Sequence, residues 1–370
     1  MKKSVCSHER LPRACLVIYA ITAVSAILYA VFTRSPSFAD WFNHAVSRWG
    51  RRLLSTLTVW FPFSLAEMLL ILSPVLLAFL IVRIVRVYSA SRKTVLSFLG
   101  RIAAAICFVV ILFVWCFAPG YYGKTLDRKL GLSREPVSAE ELYQTALLLT
   151  DEINPLAENL LVNGKGSSVM PYSIGEMNAK LMKAYKVFTA DRAFPDCFYS
   201  RVKPVMLSEA MSYTHITGVY SFFTGEANIN VAFPDYCIPF TAAHELAHQR
   251  GIAREDEANF AAFLVCLASE DPYIRYSGLL NVYEYVANAL ASADAALFKA
   301  AYAELNDVVI GEERAYAAFF EKYRDNPAAN VSEKTNDIYL QSQGAKEGTR
   351  SYDMVVDLTV AYYRPQIPVG

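Results

Sequence analysis

The chain has 370 residues, with 35 Lys and Arg against 35 Asp and Glu. A formal charge of zero and the lack of a basic patch interleaved with aromatics argue against a nucleic-acid partner. Hydrophobic residues reach 54% against 19% charged, and mean hydropathy is positive, which excludes a disordered chain and points to the lipid bilayer.

In chain order, three stretches carry the roughly 20 apolar residues that a membrane crossing needs, at about residues 14–32, 63–85 and 101–118. The first lacks a small-x-small cleavage site after its apolar run and reads as a retained anchor, not a removed signal peptide. Residues 1–119 therefore form a three-helix membrane region, and 120–370 are long enough for one sizeable further domain. Lys2, Lys3, Arg10 and Arg13 share a side with Arg83, Arg86, Arg92 and Lys93. That side is read as cytoplasmic on a slight bias, since Arg34, Arg48, Arg51 and Arg52, then Lys124, Arg128, Lys129 and Arg134, lie opposite. The expected arrangement is a multi-pass protein of the cell membrane whose larger domain is extracytoplasmic. His8 and His44 flank the first span as interfacial residues. Cys6, Cys15, Cys107 and Cys116 serve as apolar fillers. Cys197 and Cys237 can pair in an oxidising compartment or remain two buried thiols.

In the second region, Ser138-x-x-Glu141 and Ser173-x-x-Glu176 are capping boxes that open two helices, with a loop at Asn163-Gly-Lys-Gly between them. Met211–Tyr220 and Asn228–Phe233 are β-rich. A strand just upstream of the next helix would offer an edge to an extended substrate backbone. Ile238–Ala243 is too short to cross a membrane and reads as the buried start of that helix. Residues 271–290 and 295–323 are expected to be helices packing behind the site.

The helix itself carries His244-Glu245-x-x-His248. Residues four apart share a helical face, so the two imidazoles can converge on one metal, and Glu245 can take a proton from a water held there. The bland reading is an amphipathic helix with two exposed histidines. Gly251, placed to end the helix in a left-handed turn, and the carboxylates that follow it count against that. A catalytic zinc needs a third protein ligand and an open position. Glu255 and Glu257 are the candidates. Glu255 shares a face with Asn259, which would then hydrogen-bond a ligating histidine, while Glu257 points away and would be solvated or salt-bridged. Arg254 stands where the HExxHxxGxxH pattern of metzincins has its last histidine and cannot bind a cation. Glu255 is thus preferred, with Glu257 as runner-up. Possible donors to an oxyanion are His215, Tyr213 and Tyr339, though hydrogen-bonded structural roles are common for such residues and the chain has 23 tyrosines. Glu226 reads as a turn or strand-pairing residue.

Glu255-x-x-Ala258-Asn259 resembles the E-x-x-A-D element of membrane-bound gluzincin metallopeptidases of the HtpX and CAAX-protease type. This chain departs in having Asn259 and a much shorter spacing after His248. The run from Lys203-Pro-Val through Thr224-Gly-Glu-Ala-Asn-Ile-Asn230 to Asn336-Asp-Ile-Tyr-Leu340 is closer to an uncharacterised bacterial membrane family, a domain of unknown function with a zincin-like core. The resemblance implies an α+β, mainly helical fold: three transmembrane helices, then a zincin-like domain with a small β-sheet and an HExxH helix. It also implies one Zn²⁺ per chain.

The leading expectation is a membrane-anchored zinc metallopeptidase acting on peptides or on membrane or envelope proteins. His244, His248 and Glu255 would be ligands and Glu245 the general base. The alternative is a sensor or scaffold whose zincin-like domain binds a ligand without hydrolysis. A base beside the metal has no use there. A third possibility is hydrolysis of a non-peptide amide.

Overall fold

The computed structural model describes residues 11–88, 92–190, 194–324, 326–346, 348 and 354–367. Lys2, Lys3, Cys6, His8 and Arg10 lie outside these. The chain divides into two compact units, residues 1–123 with 221–225, and residues 124–220 with 226–370. The excursion of 221–225 into the first unit had no signal in the sequence.

In the first unit, α1 (Arg13–Phe32), α4 (Leu65–Tyr88) and α5 (Arg92–Cys116) are long and apolar enough to span a membrane. The last begins well before the expected residue 101, because Arg101 interrupts the apolar run without interrupting the helix. Between them lie α2 (Pro36–Phe42), capped by the Ser35 hydroxyl, and α3 (Arg48–Thr58), joined through a π-helical turn at Asn43–Ser47. That turn lets Arg51 fold inward, where its guanidinium donates to Asn43 Oδ1 at 2.7 Å and to the Cys116 carbonyl at 2.9 Å. Arg51 is therefore an interior group and not a free surface charge. His44 faces Asp40 one turn earlier, at 3.5 Å. A short α6 (Pro119–Tyr122) follows, and Phe222 packs edge-on against Phe113.

The second unit is mainly helical around a small mixed three-stranded sheet. After α7 (Leu126–Leu130), both expected capping boxes form: Ser138 and Ser173 open α8 (Ala139–Ala157) and α9 (Ile174–Phe188). Strand β1 (Val202–Pro204) is followed by α10 (Ser208–Ser212), β2 (Gly218–Ser221) and β3 (Glu226–Ile229). The strand order is β1-β3-β2, with β1 and β3 parallel and Val202 opposite Ala227. The expected strand over Met211–Tyr220 is thus mostly not a strand. Its first half finishes a helical turn, and His215 sits at φ 58°, in the left-handed region that cannot continue a ladder. Glu226 does sit on a strand, buried in an ion pair with Lys203 of β1.

Then come α11 (Cys237–Gln249), α12 (Glu255–Leu267) and α13 (Pro272–Ala293). The stretch 295–323 is two helices, α14 (Ala295–Tyr302) and α15 (Asp307–Glu321), because Asn306 caps a new start with its side chain. The chain ends with α16 (Pro327–Ser342) and α17 (Val355–Tyr363). Helix α11 is buried along its whole length, against α12 and β3, and α13 lies against α8 and α12. Small residues such as Ala243, Ala247, Ala258 and Ala262 line these helices and are wholly buried, which lets their backbones approach. Cys197 is exposed and Cys237 buried at the start of α11. Both are free thiols, so the possible pairing is not made.

Candidate metal centre

Two local features aim the ends of α11 and α12 at each other. Gly251 takes φ 95°, and the Ile252 and Gly251 amides donate to the Ala247 and His248 carbonyls, the bond pair that closes a helix with a left-handed residue. The reversal places the Ile252 carbonyl 2.7 Å from His248 Nδ1. A carbonyl only accepts, so Nδ1 carries a proton, and in the neutral ring Nε2 holds its lone pair facing the other way. Arg254 is the extended residue before α12, and Glu255 opens that helix.

Glu255 Oε2 then lies 3.2 Å from His244 Nε2 and 3.2 Å from His248 Nε2. The potential ligand atoms of all three lie within 4.8 Å of one another, and all three side chains are buried. Two imidazole nitrogens and a carboxylate oxygen cannot face each other this closely without positive charge among them, a proton or a metal ion. Burial lowers His248, but the Glu255 charge outweighs it and pushes the imidazole up to about 9. Burial and the charge of His248 depress His244. Burial would raise Glu255, yet the facing imidazoles hold it well below the usual carboxylate range. The three groups thus already gather around one positive charge.

The neighbouring acids have other partners. Glu257 pairs with Arg254 at 2.9 Å and Asp256 with Arg134 at 2.5 Å. Asn259 hydrogen-bonds His244 and lies 3.4 Å from the Tyr285 hydroxyl.

Glu245 is 4% exposed, and its Oε2 has no hydrogen-bond partner among the described residues. Burial pushes its carboxyl up to about 8, against the pull of His248. It is hemmed in by Gly218 at the start of β2, where a Cβ would stand 2.6 Å from Glu245 Oε1.

His244, Glu245 and Asn259 line a cavity of about 580 Å³. Among the three proposed oxyanion donors, only His215 reaches it; Tyr213 and Tyr339 are not among its lining residues. The Nε2 of His215 meets the Tyr323 carbonyl at 2.9 Å, so the single proton of a neutral ring is engaged there. Tyr213 is 43% exposed and stacks edge-on against Tyr323. β3, the strand just upstream of α11, runs through the middle of the sheet, so the sheet's outer strands are β1 and β2, and β2 is the one whose first residue, Gly218, lies against Glu245.

The sequence reading missed much of the cavity wall. Helix α13, expected behind the site, lines it with Asn281, Glu284, Tyr285 and Asn288, and α16 with Ala329, Ser332, Glu333 and Asn336. Each set has the i, i+3, i+4, i+7 spacing of one helical face, a pattern present in the sequence but with nothing local to say what it faces.

Residues 42–360 match the family described as "Protein of unknown function (DUF3810)". No curated protein and no solved structure matches the chain.

Proposed function

The chain belongs to that family, and we propose that it is a membrane-anchored zinc-dependent peptidase with a gluzincin-type, zincin-like site. The observation that carries this reading is one juxtaposition. His244, His248 and Glu255 bring three metal-ligating atoms together, while Glu245, with an unpartnered buried carboxylate oxygen, lines a cavity together with His244. Two imidazoles and one carboxylate suit zinc with one position left open. Zinc, when bound, supplies a Lewis acid that acidifies a water and polarises a carbonyl.

The remaining chemistry belongs to the chain. Glu245 accepts a proton at Oε2 and returns it to the leaving amine. The charge of a metal held by the triad would lower its high pKa further, toward the working range of a general base. The Ile252 carbonyl and Asn259 fix the two imidazole planes, and the β2 edge orients an extended backbone beside them. The three long apolar helices anchor the protein. Helix α4 exposes apolar side chains such as Leu70, Val75 and Val85, which would be untenable in water.

The test is the metal content and peptide hydrolysis of the purified full-length protein. One zinc per chain is expected, lost in Glu255→Ala and kept in Glu257→Ala. Glu245→Gln should keep the metal and lose at least about 100-fold in hydrolysis. Full activity of Glu245→Gln would sink the mechanism. A wild type that takes up no zinc would favour a ligand-binding scaffold.

A further inference from the structure

The cavity beside Glu245 has an unbalanced charge pattern. Neither Lys nor Arg lines it, whereas Glu284 of α13 and Glu333 of α16 do, with Asn281, Asn288 and Asn336 on the same two stripes. Glu284 accepts from the Tyr236 hydroxyl at 2.6 Å, and its other neighbours in charge are the carboxyls of Glu312 and Glu313. Glu333 is exposed, and no Lys or Arg forms an ion pair with either glutamate among the described residues. A concave, low-dielectric wall of one sign concentrates the opposite charge. That the space takes a ligand is indicated independently by Glu245, 4% exposed and with an Oε2 that no described residue satisfies.

Building on the peptidase reading above, we propose that Glu284 and Glu333 form a subsite for a cationic nitrogen of the substrate, with Asn281, Asn288 and Asn336 accepting its remaining N–H groups or holding the adjacent peptide. The substrates are then peptides that carry a lysine or arginine side chain, or a free amino terminus, within reach of the scissile bond. A volume of about 580 Å³ falls in the range of sites that enclose a small ligand. The geometry thus assigns specificity to α13 and α16, and the bond-breaking groups to α11 and α12.

The experiment uses the full-length protein in detergent micelles and fluorescent peptides that differ at one position, Lys, Arg, norleucine or Glu, each with a free or acetylated terminus. Binding is measured on Glu245→Gln, and hydrolysis on the wild type. Cationic peptides should bind about 10- to 100-fold more tightly than norleucine or Glu peptides, the worth of one or two charge-assisted hydrogen bonds. Adding Glu284→Gln and Glu333→Gln should erase that preference while leaving norleucine peptides unaffected. Glu333 is exposed, so Glu333→Gln alone reports on the subsite without threatening the fold. A preference that follows the side chain identifies the cation as Lys or Arg; one abolished by acetylation identifies the terminus. Equal binding of all peptides, a preference for Glu, or no binding overturns the subsite. Hydrolysis without charge preference would overturn it and leave the peptidase standing. Selective binding without hydrolysis by the wild type would do the reverse.

Discussion

Replacing Glu284 with Gln should stabilise the protein, and far more at neutral and alkaline pH than at pH 5. Burial, with the nearby charges of Glu313 and Glu312, pushes the Glu284 carboxyl up to about 7, although the Tyr236 hydroxyl pulls the other way. An unfolded glutamate titrates at its ordinary value of 4.5. Between those values the unfolded chain has released the proton that the folded chain still holds, so stability falls as pH rises through this window and levels off above it. The separation corresponds to at most about 3 kcal/mol, nearly all of it present by pH 8 and about 1 kcal/mol by pH 5. Contact with solvent in the cavity trims this to about 2 kcal/mol. Gln cannot ionise, keeps an oxygen for Tyr236 and so escapes the penalty. Thermal melts of the full-length wild type and Glu284→Gln should differ by about 4–8 °C at pH 8 and by about 2 °C at pH 5. Glu245, raised to about 8, is common to both proteins and cancels in the difference, while Glu312, raised to about 7, is relieved of a neighbouring charge in Glu284→Gln and adds in the same direction. An equal shift at both pH values, or a less stable variant at pH 8, would refute the reasoning. A carboxylate kept at a cost in stability on a cavity wall is what a binding role leads one to expect.

Three further outcomes follow from the site's geometry. Gly218→Ala places a Cβ 2.6 Å from Glu245 Oε1, so the base must swing aside. Peptide hydrolysis should fall about 100-fold with zinc content unchanged, and an unaltered kcat/KM would show that Glu245 has room to yield. Gly251→Ala forces a side chain onto φ 95° and displaces the Ile252 carbonyl from His248. Zinc affinity, read by competition with a chelator, should drop about 10- to 100-fold; an unchanged affinity would remove that carbonyl from the site's architecture. Arg250 is fully buried beneath α11, donating to the Phe198 carbonyl at 3.0 Å and Ser200 Oγ at 3.1 Å, with its guanidinium 4.2 Å from the Tyr185 ring centre. Arg250→Leu leaves those acceptors unsatisfied and should cost about 3 kcal/mol in thermal or denaturant unfolding. A change below about 0.5 kcal/mol would mean the guanidinium is replaceable by apolar packing.

What could be read in advance divides along a physical line. His244, Glu245, His248, Gly251 and Glu255 are related by helical periodicity and one reversal of the chain, both written in neighbouring residues; hence the meeting of Glu255, and not Glu257, with the imidazoles was legible. The capping boxes at Ser138 and Ser173 were legible for the same reason. The β propensity of Met211–Tyr220 was overridden, because Ser208–Ser212 closes a helical turn and His215 turns left-handed before β2 begins. Asn306 did carry a capping signal, but it was hidden inside a continuous apolar period. The stripes Asn281-x-x-Glu284-Tyr285-x-x-Asn288 and Ser332-Glu333-x-x-Asn336 were visible as patterns, yet only the packing of α13 and α16 shows that they face the cavity. Tyr339, one turn beyond Asn336, does not line it. A short motif can thus announce a cluster of metal-ligating groups, because such a cluster needs only a few residues held close together. The proposed subsite draws on distant helices, and their shared face exists only once the chain has folded. On this chain the two can be separated experimentally: substitutions on α11 and α12 should act on zinc and turnover, and those on α13 and α16 on which peptide is accepted.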